Sequence, residues 1–148
     1  MSAKKEVTLR IVLEAPPAGV AFGVQKGHGS AYETVQIQHS RGSDLMFEFG
    51  VEATGENVDG AADFRGPFVQ GPRGGRFVYL DIGTLAGQHD SPWSRRLKIP
   101  LTGITTTLLR RASSGGSPAL EARVPGTGRD GTPSCASVKD FRGWKAAG

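Results

Sequence analysis

The sequence predicts an all-β fold: a single antiparallel β-sandwich or flattened barrel of about eight short strands, with at most one short helix. Three observations carry this expectation. The 22 glycines and nine prolines make up 31 of 148 residues, well above the roughly 12% that these two residues average together. Both are poor in helix interiors, so a helical bundle and a coiled coil are excluded. Apolar and polar residues alternate in several segments, which is the period of a strand with one buried face. Turn residues recur at short intervals, as they do in sandwiches and barrels. At 37% hydrophobic and 22% charged, the chain can bury a core, which argues against global disorder. Its apolar runs are too short for a transmembrane helix.

In order, Val7, Leu9, Ile11 and Leu13 alternate with Thr8, Arg10, Val12 and Glu14 and predict a first strand. Pro16-Pro17-Ala18-Gly19 turns the chain. Val20 to Gln25 is a second strand, closed by Gly27-His28-Gly29. Tyr32 to His39 is a third, with Val35 and Ile37 on one face and Gln36 and Gln38 on the other. After the turn Arg41 to Asp44 comes the strongest candidate, with Leu45, Phe47, Phe49, Val51 and Ala53 forming a core face.

Gly55 to Asp63 reads as a surface loop with an Asp59-Gly60 turn. Phe64 to Gln70 is a short segment that Pro67 demotes to an edge or a bulge. Gly71 to Gly75 is a turn, and Arg76 to Ile82, apolar on both faces until Asp81, fits a central strand. Gly83 to Pro92 is a loop. Trp93 to Leu101 places Leu97, Ile99 and Leu101 inward and Arg96 and Lys98 outward. Ile104 to Arg111 suits either a strand, on its three threonines, or one short helix. Leu120, Ala122 and Val124 form a further strand, with Cys135 to Val138 expected to pair nearby. One β domain over 1–148 is expected, with a basic tail, 139–148, that is either flexible or docked through Phe141 and Trp144.

Lysine and arginine total 18 against 14 aspartates and glutamates, a formal charge of +4, which is modest attraction to anions and says nothing of fold. The single cysteine, Cys135, excludes an intrachain disulfide and points to a reducing cytoplasm. Thr8 and Arg10 break Val7 to Leu13, so no secretory signal is expected.

Four constellations bear on chemistry. Gly126-Thr127-Gly128-Arg129-Asp130-Gly131 matches a dinucleotide fingerprint in form only, because Pro133 follows where a helix is needed. A β-loop, or a backbone nest for an anion beside Arg129, is the alternative. His89-Asp90-Ser91 is no triad, since catalytic partners meet in space rather than in sequence. That loop suits either an exposed connection or a polar cleft in which Trp93 stacks and Arg95 or Arg96 clamps a carboxylate or phosphate. His28, His39 and His89 have no metal-ligand spacing, so no metal or cofactor is expected. Arg10, Arg96, Lys98 and Arg123 lie on polar strand faces, and Lys139, Arg142, Trp144 and Lys145 lie in the tail. Nucleic-acid binding would need aromatics beside such cations, yet Phe47, Phe49, Phe77 and Tyr79 fall at core-like positions.

Several long stretches resemble an uncharacterised bacterial family, the domain-of-unknown-function family 5990. They are Pro16 to Gly27 (PPAGVAFGVQKG), Phe64 to Pro72 (FRGPFVQGP), Gly83 to Gln88 (GTLAGQ), Ser91 to Ile104 (SPWSRRLKIPLTGI) and Val124 to Gly131 (VPGTGRDG). Together they span nearly the whole chain. The resemblance implies a stand-alone domain of bacterial origin and brings no assigned activity or site residue.

The leading expectation is a cytoplasmic binding module for a small polar or anionic ligand or for a protein partner. Its site would be built from glycine-rich loops at one end of the sandwich, with Gln70, Arg73, Trp93, Arg95 and Arg129 as ligand-binding residues. The alternative is an enzyme acting on a small metabolite, with Asp81, Asp90 or His89 as acid or base. A nucleic-acid binder is the third reading, and membrane association is not expected.

Overall fold

The computed structural model describes residues 5–28, 31–84, 93–112, 118–125 and 143–147. Two sheets face each other in an all-β, sandwich-like fold with one short helix. The elements are β1 (Lys5–Glu14), β2 (Val20–His28), β3 (Ala31–His39), β4 (Leu45–Val58), β5 (Ala61–Arg65), β6 (Phe77–Thr84), β7 (Trp93–Pro100), α1 (Thr106–Ala112), β8 (Ala119–Pro125) and β9 (Trp144–Ala146). The five-stranded sheet runs β5-β4-β1-β8-β9 and the four-stranded sheet β3-β2-β6-β7.

Alternation sets which side chains enter the core. Val7, Leu9, Ile11 and Leu13 of β1 lie opposite Val51, Phe49, Phe47 and Leu45 of β4. All but the partly buried Leu45, which packs against its margin, meet Phe22 and Val24 of β2, Val78, Leu80 and Ile82 of β6, and Leu97 and Ile99 of β7 in one buried cluster. Full burial of each such side chain contributes about 1.5–3 kcal/mol. The pairing of β1 with β8 is parallel, whereas the other named strand pairings are antiparallel. Leu120, Ala122 and Val124 of β8 complete the inner face.

Both flanks of the sandwich are tied by side chains. Gln36 and Gln38 of β3 each donate an Nε2 hydrogen bond, at 2.7 Å, to the Glu48 and Met46 carbonyls of β4. They occupy the part of the β4 edge that lies before its pairing with β5 begins at Glu52, where open backbone groups would otherwise need partners. On the other flank, the Trp144 Nε1 of β9 donates to the Pro100 carbonyl of β7 at 2.8 Å.

Three segments differ from the sequence expectation, and a fourth, left open there, is decided. The stretch expected as a loop from Gly55 is strand: β4 runs on to Val58, Asp59 and Gly60 turn the chain at positive φ (51° and 87°), and β5 returns. A positive φ at both central residues suits a two-residue hairpin, so the Asp59-Gly60 turn stands while its flanks are strand. Gln36 sits at φ 55° as the extra residue of a bulge, because Phe22 opposes Gln38 while Val24 opposes Val35. The bulge splits Val35 from Ile37, which lies outward beside Gly23. Of the two alternatives for Ile104 to Arg111 the helix is the one formed: α1 runs from Thr106 to Ala112 and is capped by Thr105, whose Oγ1 accepts from the Leu108 N–H at 3.0 Å. Phe77 and Tyr79 lie on the outer face of β6, and only Val78, Leu80 and Ile82 reach the core. The segment 135–138 lies outside the described residues.

Candidate functional site

A groove of about 330 Å³ opens at one end of the five-stranded sheet, between α1 and the β4–β5 hairpin. Its shape follows from the local chain. The β4–β5 register shifts between Ala53 and Asn57, so Thr54, Gly55 and Glu56 bow away from β5. On the far side, the Ala62 N–H donates to the Ile104 carbonyl at 2.8 Å and Ala61 bridges Thr105. This lays the start of α1 along the free edge of β5. Thr106, Leu109 and Arg110 then form one wall, and Lys5, Gly55, Glu56 and Asp63 face them.

Asp63 sits at the base with its side chain 3% exposed. A carboxylate taken this far from water needs compensating partners. The Thr54 hydroxyl donates to Oδ2 at 3.0 Å, and the Arg76 Nε lies 3.5 Å from Oδ1. Arg73 adds its Nε at 3.8 Å from Oδ2 and pairs with Glu56 through Nη2. Arg76 is itself held by the Gly71 carbonyl, 2.5 Å from Nη1. The acids of the groove therefore have cations assigned to them. Lys5 and Arg110, by contrast, have no ion-pair partner among the described residues. A second groove of about 320 Å³, lined by Glu6, Gly50, Arg65 and Gly66 among others, meets the first at Lys5. Chemically, the lining offers two cations, Lys5 and Arg110, suited to an anionic group, beside the Glu56 carboxylate that pairs with Arg73. Among the described residues no group of three His, Cys, Asp or Glu side chains is placed to hold a metal.

Of the residues expected from sequence, Arg73 reaches this groove through Glu56 and Asp63. Gln70 bridges Phe77 through paired backbone hydrogen bonds at the start of β6. The backbones of Trp93 and Arg95 lie at the other end of β6, opposite Gly83 and Ile82, some six residues or about 20 Å from Phe77. Arg129, His89 and Asp90 lie outside the described residues. Asp81 is 2% exposed, with its two oxygens engaged by Thr34 and Arg96.

Asp63, Lys5 and Arg110 were not among the expected site residues. An aspartate between Ala62 and Phe64 is a sequence sign of a carboxylate inside an apolar strand. It went unused because Gly55 to Asp63 reads as a loop. Nothing local marks Lys5 and Arg110, which meet only because α1 folds back on β5.

No helix among the described residues is long and apolar enough to cross a membrane. Comparison with curated proteins and with solved structures finds no match. A family model described as a family of unknown function matches residues 7–147, in agreement with the motifs spread along the sequence. The chain belongs to this family, DUF5990.

Proposed function

We propose that the protein is a binding module for a small polar ligand carrying an anionic group, taken up in the groove between α1 and the β4–β5 hairpin. One observation carries this reading: Lys5 and Arg110 border a groove of about 330 Å³ without acidic partners among the described residues, above a buried Asp63 already neutralised by Arg76 and Arg73. That volume falls within the range of small-molecule sites. Surplus cations beside a satisfied carboxylate suit a carboxylate or phosphate, and Glu56 suits an amine or hydroxyl on the same ligand. The single Cys135 suits a reducing compartment, and the cytoplasm is the proposed location.

The test is calorimetric titration with inorganic phosphate, small dicarboxylates and zwitterionic amino acids. At least one should bind, and Arg110→Ala and Lys5→Ala should each weaken it by about 5- to 100-fold, the loss expected for one charge-assisted hydrogen bond. Absence of binding across the set, or binding untouched by both substitutions, overturns the reading.

A further inference from the structure

The outer face of the four-stranded sheet carries a second arrangement, away from the groove and independent of it. Asp81, on β6, lies opposite Gly23 of β2 and Arg96 of β7. Its Oδ2 accepts from the Thr34 hydroxyl at 2.8 Å and its Oδ1 from the Arg96 Nε at 3.0 Å. The aspartate is buried, while the Arg96 side chain is 49% exposed. Arg96 also stacks on Tyr79, with its Cζ 4.6 Å from the ring centroid. The guanidinium is thus fixed at Nε and along one face. Its two terminal nitrogens have no hydrogen-bond partner among the described residues.

Beside it the motif repeats. The Lys98 Nζ lies 4.2 Å from the centroid of Phe77, and the Phe77 and Tyr79 rings meet edge to face at 4.8 Å. Tyr32 and Ile37, both more than half exposed, extend the apolar surface toward β3. Among the described outward residues of β2, β3, β6 and β7, the one carboxylate is Asp81, which is already neutralised. The face therefore presents two ring–cation pairs, side by side, in which the Arg96 charge is shared with Asp81 while the Lys98 ammonium has no acidic partner among the described residues.

We propose that this face binds single-stranded nucleic acid. Arg96 and Lys98 would take adjacent backbone phosphates, and unpaired bases would stack on the platform formed by Tyr79, Phe77 and the Arg96 guanidinium. Charge complementarity favours a polyanion, and flat rings beside the cations favour one that carries planar groups. Bases paired in a duplex are not available for such stacking. Asp81 acts as a positioning residue: it fixes the Arg96 head before the ligand arrives, so less freedom is lost on binding.

The test is fluorescence anisotropy with a labelled oligothymidylate of about ten nucleotides. Two phosphate contacts on a single strand predict that log K falls with log salt at a slope near −1.4. Lys98→Gln should weaken binding about fivefold or more and flatten the slope by about 0.7. Tyr79→Ala should weaken it by about 5- to 150-fold with the slope unchanged, the signature of a lost stacking partner. Arg10→Gln, on the other sheet, should leave binding as it is. If Tyr79→Ala fails to fold, Lys98→Gln on the exposed strand decides the matter alone. The proposal is overturned by absence of binding, by an equal effect of Arg10→Gln, by equal affinity for duplex, or by displacement with equimolar thymidine monophosphate. The last outcome would mark a site for a free phosphate compound instead.

Discussion

Arg10 and Arg123, on the outer face of the five-stranded sheet, end on carboxylates alone, whereas on the outer face of the four-stranded sheet Lys98 ends on the Phe77 ring and Arg96 is shared between the Asp81 carboxylate and the Tyr79 ring. On the first face, Arg10 reaches Glu48 at 2.9 Å and Glu121 at 3.5 Å, and Arg123 reaches Glu14 at 3.1 Å and Asp44 and Glu121 at 3.5 Å. Hydrogen bonding to Glu48 raises the Arg10 guanidinium above its ordinary pKa, and Glu14 does the same for Arg123. Positive charge there is cancelled within the face. On the second face, Tyr79 is the residue opposite Lys98, and a ring attracts a cation without cancelling its charge. The residue types and their alternation are alike. What differs is the neighbour across the strand, and that neighbour decides whether a cation is spent internally or left for a partner.

Three substitutions sharpen or break this comparison. The largest effect is expected at Phe47, which lies beneath both faces. Phe47→Ala should cost about 3–5 kcal/mol in chemical denaturation, as truncation of a buried aromatic does. A loss under about 1 kcal/mol would mean that the two sheets do not share the packing that defines inside and outside.

The second is Asp81→Ala. It removes the acceptor of two side chains at a buried position and should cost about 1–3 kcal/mol. It should also release Arg96 from Tyr79, visible as a changed ring environment in side-chain NMR. An unchanged Tyr79 signal would break the claim that Asp81 aims the guanidinium.

The smallest effect is expected at Glu48, where the ion pair is exposed on both sides. Glu48→Ala should cost less than about 1 kcal/mol, and less still at high salt. A loss as large as that of Asp81→Ala would erase the distinction between the two faces.

Much of the fold was legible along the chain. Period-two alternation follows from strand geometry itself, so Val7 to Leu13, Leu45 to Ala53 and Leu97 to Leu101 identified their buried faces without reference to any partner. The Asp59-Gly60 turn was equally local, because positive φ is a property of one or two residues. The errors began where a neighbour intervened. The bulge at Gln36 breaks the alternation of β3, and Gln36 and Gln38 are used to cap the backbone of β4. Gly55 to Asp63 reads as loop by composition but is held as strand by pairing within the β4–β5 hairpin.

The candidate sites were less legible for the same reason. The sequence by itself determined that the chain would form strands, which side chains would turn inward, and that Arg96 and Lys98 would point away from the core. Only the tertiary structure decided that β6 and β7 would be neighbours, setting Lys98 against Tyr79 and Arg96 against Asp81, while β1 would lie between β4 and β8 and surround Arg10 with glutamates. It also brought Lys5 and Arg110 to one groove from positions more than a hundred residues apart. Which face a side chain takes is set by the covalent geometry of its own strand, but what it meets there is set by strand order, which is a property of the whole chain.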